Sequence, residues 1–430
     1  MISATTATWL NYATTIVFQI LFAAQFGSSG AAGAFVIAFA VAVSLGGVFV
    51  TTTITNVMPR MLGEEGALAS SALRVLAILG ALVVGSALAL WVVAGPLANV
   101  IAPLIGVGVA LMSTLLALSA LFLASLGLSG IFGSVALIRG HRFLPALAPA
   151  FPSTLGALYL LSVDEPGVTG AFAAIAFGGA IQVLVLGAVA VFPRFVVTGG
   201  TPLQIGRLAS LTAALLLLIG LLAPLQRILA ASIDPAGAAQ FDYAARSIQV
   251  ALQLLLGGLV IAVLPDWTAK HNRAQDIRPE VINTMVAAVL LLITAGGIAL
   301  VAASPIVSLV YERGAFVTSD TESVVLLVRI LVPGFVAEGV WLVLAQALLA
   351  TGRTDVVLRV WAVRFLTQLL LTLVLGLPGG AVGVAAAYSV STVISTGAAT
   401  RFATSLGILH GGASLIGRAS QAGLAIALAA

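Results

Sequence analysis

Asp242 and Arg246 stand four residues apart within Gly237 to Pro265, GAAQFDYAARSIQVALQLLLGGLVIAVLP, an otherwise apolar stretch of membrane-spanning length. Four residues is about one helical turn, so both side chains share a face, where they can neutralise each other or hold something between them. A guanidinium there offers two parallel donors, the arrangement best shaped for a pair of phosphate oxygens. Ionisable groups are costly in an apolar span and mark functional sites by default. At about 1.5 Å per residue Arg246 lies roughly 13 Å inside its helix, too deep for easy snorkelling. Two readings compete: a cation lining a pathway through the membrane, or a buried charge closed off by Asp242.

Other ionisable groups recur in apolar stretches. Glu338 and Arg364 fall within neighbouring spans, which makes an ion pair between them as natural as a substrate or proton role. Gln368 follows Arg364 by one turn. Arg227 and Arg329 sit nearer one interface and Arg359 nearer the other, where snorkelling costs less. Gln249, on the helix of Arg246, joins the candidate substrate-binding set. Asn11 and Gln19 do so for the first half, where Tyr12, Thr14, Thr15, Thr51 to Thr53, Thr55 and Asn56 are further polar positions; hydroxyls and amides in spans more often bond neighbouring backbone. No Walker loop, Ser-His-Asp set or metal cluster appears, so the sequence points to neither an enzyme nor a cofactor. An ion gradient or the membrane potential would have to drive any transport, and the coupling ion is left open.

The elements that position these residues follow from composition. Of 430 residues, 61% are hydrophobic and 7% charged, with a mean hydropathy of +1.21. So little charge cannot cover a soluble globule of this length, and the solvent must be largely lipid. Cysteine is absent, which excludes disulfides and thiolate metal sites. His141, His271 and His410 are too scattered for a metal cluster. The net charge of +4 comes from basic residues set singly in short loops, which excludes a nucleic-acid-binding patch.

Apolar runs predict an all-α polytopic protein with spans at 6–26, 33–57, 73–95, 108–137, 144–161, 168–192, 207–232, 238–264, 282–310, 323–350, 356–377 and 381–404. Pro149 and Pro152 predict a break in the fifth. With loops assigned to alternate sides, most of the eighteen basic residues, among them Arg60, Arg139, Arg142, Arg194, Lys270, Arg273, Arg278, Arg353 and Arg418, fall on one side. Arg313 lies on the other with Asp164, Glu165, Asp234, Glu312, Asp320 and Glu322. The basic side is then cytoplasmic and holds both termini.

The chain also repeats. A shift of 206 residues lays Phe35 on Phe241, Ala38 on Ala244 and Pro59 on Pro265. Further along, with a slowly growing shift, Pro96 meets Pro305, Arg142 meets Arg353, and Gly167-x-x-Gly170 meets Gly380-x-x-Gly383. This predicts a first lobe over 1–192, a cytoplasmic linker over 193–206, a second lobe over 207–405 and a tail over 406–430. Parallel repeats of this kind place a substrate site between lobes and work by alternating access. The apolar run at 421–430 is too short to span and reads as the start of a further helix or as a surface tail.

APLQRILAAS at 223–232, FDYAARSIQ at 241–249 and VLP at 263–265 resemble the seventh and eighth helices of the MurJ/MviN-type lipid II flippases. YERGAFVTSDT at 311–321 resembles that family's external Arg-Gly-Ala-Phe turn, and ALLATGRTDVVLRV at 347–360 its loop before helix eleven. AAQFG at 23–27 and GAF at 33–35 give a thinner match in the first half. The resemblance implies the two-lobed, V-shaped fold of the multidrug/oligosaccharidyl-lipid/polysaccharide (MOP) exporter superfamily. It further implies a monomer in the bacterial inner membrane that flips an undecaprenyl-pyrophosphate-linked peptidoglycan precursor, with Arg246 facing the central cavity.

Where the family carries an Arg-Asp pair in its first helix, this chain has Phe18 and Gln19. Gly33 stands in place of an acidic residue, Gly46 and Gly47 near an arginine pair, and Gln226 in place of an acid tied to a sodium site in some relatives. Two other readings stay open: another MOP-type exporter, of polysaccharide lipids or of drugs, and a membrane scaffold that does not transport.

Overall fold

A computed structural model of the chain describes residues 2–53, 68–191, 197–198 and 207–409. Thr55, Asn56, Pro59, Arg60, Arg194, His410, Arg418, most of the linker and the apolar run at 421–430 lie outside the described residues. Among the described residues twelve helices follow one another: α1 (Ile2–Phe26), α2 (Gly30–Thr52), α3 (Ser70–Leu104), α4 (Val109–Ile138), α5 (Phe143–Leu147), α6 (Ala150–Ser162), α7 (Val168–Val191), α8 (Arg207–Ala231), α9 (Gly237–Asn272), α10 (Arg278–Tyr311), α11 (Thr318–Ala350) and α12 (Thr354–Ser405). A two-residue parallel pairing of Leu68–Ala69 with Val197–Thr198 leaves the class all-α. Eight of the helices are long and apolar enough to cross a membrane. They are apolar on every side, and their outer faces carry large side chains such as Trp91, Leu184, Val301 and Leu370 in the open. Lipid is the solvent that tolerates such a surface.

Within the described residues the expected spans are present as helix, with four changes of outline. The fifth is broken into α5 and α6 at Ala148–Pro149, where a ring without an N–H starts the second piece. The third runs on from residue 95 through Pro96 and Pro103 to Leu104, and the eighth continues past residue 264 to Asn272. The last two spans form one 52-residue element, α12, interrupted at Gly380 by φ 52 and ψ −132. Only glycine enters that region at little cost, so the bend sits there.

Packing divides the chain into two units, Met1–Ala231 with Arg313–Phe316, and Ser232–Glu312 with Val317–Ala430. In the first, α4 packs against α2, α3 and α7, while α1 packs on α5 and α6. In the second, α11 packs against α9, α10 and α12. The repeat read in the sequence thus reappears as the same arrangement: α2, α3 and α4 begin at Gly30, Ser70 and Val109, and α9, α10 and α11 at Gly237, Arg278 and Thr318. Phe35 and Phe241, paired by the repeat, are both buried one turn into their helices. One element departs from it. The repeat makes α8 the counterpart of α1 at the start of a second lobe, whereas α8 packs against α2 and belongs to the first unit. Gly220 of α8 allows this, because its Cα approaches the Ser44 backbone of α2 so closely that an added Cβ would lie 3.1 Å from the Ser44 carbonyl oxygen.

The centre of the first unit is aromatic. Phe18, Phe22 and Phe26 of α1 meet Phe35 and Phe39 of α2, and through them Phe122 of α4 and Phe172 of α7. Ring centroids stand 4.4 Å apart for Phe22–Phe35 and 5.1 Å for Phe35–Phe172, within the range of favourable offset and edge contacts. Helix periodicity explains the set: positions 18, 22 and 26 line one face of α1, and 35 and 39 one face of α2.

Candidate functional site

In α9 the face expected from spacing is formed. Asp242 is buried, and its carboxylate accepts the Nε–H of Arg246 in a close ion pair. The arginine side chain keeps 19% of its surface exposed against 4% for the aspartate. One step round the same helix, Ser247 donates to the Tyr243 carbonyl at 2.8 Å and meets the Tyr311 hydroxyl at 3.1 Å. The Tyr243 and Tyr311 rings lie 5.4 Å apart. Both tyrosines lie within electrostatic range of Asp242 and Arg246, which gives the buried charge polar neighbours in a low dielectric. Gln249, one turn beyond Arg246, is exposed.

The second candidate pair is also made. Arg364 Nη1 of α12 stands 2.6 Å from Glu338 Oε2 of α11, with side-chain exposures of 14% and 16%. The approach is that of an ion pair: no N–H is aligned on that oxygen as a hydrogen bond. The guanidinium also lies over the Tyr388 ring, 5.8 Å from its centroid, a cation–π contact that belongs to the second half of α12. Gln368, one turn on from Arg364, is buried.

Arg227, Gln19 and Asn11 belong to the first unit. Arg227 of α8 is half-buried and donates from Nη1 to the Ala223 carbonyl at 3.0 Å. Gln19 is buried on α1, and Gln226 is buried beside Arg227 in the chain. Asn11 is half-exposed, and its carbonyl accepts the hydroxyls of Thr14 and Thr15 at 2.9 Å. Thr15 further meets Ser153 of α6 at 3.2 Å. These hydroxyls serve helix backbone and helix packing. Arg329 is exposed on α11. Within the second unit the structure brings together Asp242 with Arg246 and Glu338 with Arg364.

Sequence reasoning missed Tyr311, Ser247 and Tyr388. Ser247 and Tyr243 carry a readable signal, since they repeat the four-residue spacing of Asp242 and Arg246 one position later. Tyr388 carries none, because only the fold of α12 brings it to Arg364.

The turn between α10 and α11 is held at both ends. Glu312 accepts the hydroxyls of Thr318 at 2.8 Å and Thr321 at 3.0 Å. Hydrogen bonds from Ser308, Thr318 and Thr321 hold its carboxyl below the ordinary value of 4.5. The middle of the turn, Arg313–Phe316, belongs to the first unit. There the Ala315 N–H donates to the Ala24 carbonyl at 2.7 Å. Gly314 and Gly27 both take positive φ, 59° and 54°. A Cβ on Gly314 would stand 2.2 Å from the Ala24 carbonyl oxygen, and one on Gly27 2.5 Å from that of Ala315. Each glycine thus lies against the backbone of the other's neighbour.

Among the described residues no group of His, Asp and Glu is arranged to hold a metal ion. No individual curated protein matches the chain. Among solved structures, the chain is similar over its whole length to the lipid II flippase MurJ in an inward closed conformation, with a TM-score of 0.79, 17% identity and 92% of that protein covered. An inward-facing multidrug resistance MATE transporter of the MOP superfamily gives a TM-score of 0.66 at 15% identity, over 92% of this chain and 94% of that one. A MOP superfamily transporter from Pyrococcus furiosus gives 0.59 at 14%, over 94% and 96%. At these identities the likeness shows the fold, which is that of the MOP exporters. The sequence model of the family described as lipid II flippase MurJ matches residues 6–430. With nearly the entire chain matched in sequence and the same fold in three dimensions, the protein belongs to the MurJ family of lipid II flippases.

Proposed function

We propose that this chain carries the undecaprenyl-pyrophosphate-linked peptidoglycan precursor from the inner to the outer leaflet by alternating access, with Arg246 as the cation that takes the pyrophosphate. Family membership makes it a flippase, not an enzyme, and a multi-pass protein of the bacterial inner membrane. The observation that carries the residue assignment is the asymmetry of the α9 ion pair: the aspartate is buried while the arginine remains partly exposed. Asp242 orients the guanidinium through Nε, and the accessible part of the side chain is what a phosphate oxygen would meet. Glu338 and Arg364 close on each other and act as a fixed polar brace between α11 and α12. Phe18 and its aromatic neighbours stand where the family resemblance puts charge, so recognition of the anion rests on the second unit. The protein acts as a monomer with both termini cytoplasmic, as the loop charges favour.

The test is native mass spectrometry of the purified protein with lipid II and with an ordinary phospholipid, comparing wild type and Arg246→Ala. Selective lipid II binding that falls at least tenfold in the variant is expected. Equal binding by both proteins, or none above phospholipid, overturns the assignment.

A further inference from the structure

One end of the second unit carries a cleft of about 780 Å³ that transport through the Arg246 site does not use. Its walls come from three places in the chain: the turn between α9 and α10, the junction of α11 with α12, and the residues that follow α12. His271, Arg278 and Arg353 line it, against the single carboxylate of Asp276. Along α9, His271 is about 37 Å from Arg246 at 1.5 Å per residue, so the two sites are separate.

The cations differ in what they already hold. Arg278 lies 3.5 Å from Asp276, which also accepts the Arg278 backbone N–H at 3.0 Å and so caps the start of α10. Arg353 has no ion-pair partner among the described residues, and the structure fixes its position. Gly352 turns the chain at φ 72, and the Arg353 N–H donates to the Leu348 carbonyl at 2.8 Å. Arg353 is also the residue at which α12 begins, with no side chain capping that helix start. A helix start exposes unpaired N–H groups and a partial positive charge, which adds to the charge of Arg353 itself. The cleft is not wholly polar, for Ile277 and Ile408 are buried in its lining. Solvated loop charges that merely orient a membrane protein would not need a cavity, a fixed backbone and an apolar floor together.

We propose that this cleft is a phosphate-binding site in which Arg353, aided by His271, Arg278 and the start of α12, takes a phosphate group. A phospholipid headgroup and a soluble phosphate share this chemistry, and the experiment separates them.

The full-length protein in detergent is titrated with phosphatidylglycerol, phosphatidylcholine and inorganic pyrophosphate, with thermal unfolding and retained lipid as readouts. Arg353→Ala is compared with wild type, with His271→Ala as the second variant should the first fail to fold, and with Arg359→Ala as a control of equal charge outside the cleft. The site is supported if a cleft variant weakens phosphatidylglycerol or pyrophosphate binding about fivefold or more while Arg359→Ala does not. A loss confined to pyrophosphate identifies a soluble phosphate, and a loss that includes phosphatidylglycerol over phosphatidylcholine identifies the lipid. Unchanged binding of both anions in the cleft variants, or an equal loss in Arg359→Ala, overturns it. Because the Arg246 site would itself take pyrophosphate, the titrations are repeated in the Arg246→Ala background: a further loss of about fivefold on adding Arg353→Ala supports the cleft, and no further loss overturns it.

Discussion

Arg364 reaches across from α12 to place its Nη1 2.6 Å from Glu338 Oε2 of α11, and both side chains are mostly buried. Removing one member of such a pair strands the other charge in a low dielectric, which costs about 3–5 kcal/mol. Glu338→Ala should therefore lower the thermal unfolding midpoint substantially, whereas Glu338→Ala combined with Arg364→Leu should recover most of the loss. A double-mutant cycle by thermal unfolding checks this, and additive losses would show that the pair is not coupled.

Arg246→Lys keeps the charge but loses the planar fork. If the guanidinium holds a phosphate through two parallel donors, affinity for lipid II should fall by about tenfold, or about 1.4 kcal/mol, with little change in stability. Titration of the lysine variant beside Arg246→Ala decides it. A lysine protein that binds as tightly as wild type would reduce the role of Arg246 to a point charge.

Phe18→Arg restores the kind of charge that the family resemblance places in the first helix. Here the position is buried against Phe22 and Phe35, with Gly156 beneath the ring. An unpaired guanidinium in that aromatic cluster should destabilise the protein by about 3–5 kcal/mol and gain no substrate affinity. Unfolding and lipid II titration of the same sample test both halves, and a stable variant with tighter binding would show that the first unit retains an anion site.

The Glu312 carboxyl is hydrogen-bonded by three hydroxyls and titrates below its ordinary 4.5. A folded-state value depressed in this way contributes stability above the unfolded value and loses it as pH falls through the folded one. The turn at 312–321 should keep its order at neutral pH and loosen only as the pH falls below the ordinary carboxylate value of 4.5 and through the depressed one. Hydrogen exchange of this peptide across that range reads the change, and Glu312→Gln should abolish its pH dependence.

Much of this was legible in the sequence, for reasons that differ by residue. Asp242 and Arg246 lie on one helix, so spacing alone brings them together. Glu338 and Arg364 required only that successive spans be neighbours. The helices themselves follow from apolar length, and Pro149 marks the break between α5 and α6. Three features were hidden. Tyr388 meets Arg364 only because α12 bends back at Gly380. The aromatic cluster joins four helices, and periodicity within each says nothing of the others. The membership of α8 in the first unit follows from its fit against α2 at Gly220, a close backbone approach that no local pattern announces.

Gly27 and Gly314, described above as lying against each other's neighbours, also constrain how this chain can diverge. A methyl group at either position collides with backbone rather than with a side chain that can rotate away, at a cost of about 2–5 kcal/mol once the left-handed φ is included. Neither residue can be replaced while the other segment stays where it is. Although 287 residues separate them in the chain, the two codons are locked into a joint history in which single substitutions are dead ends, and only a shift of the α1 end together with the turn opens a path to either.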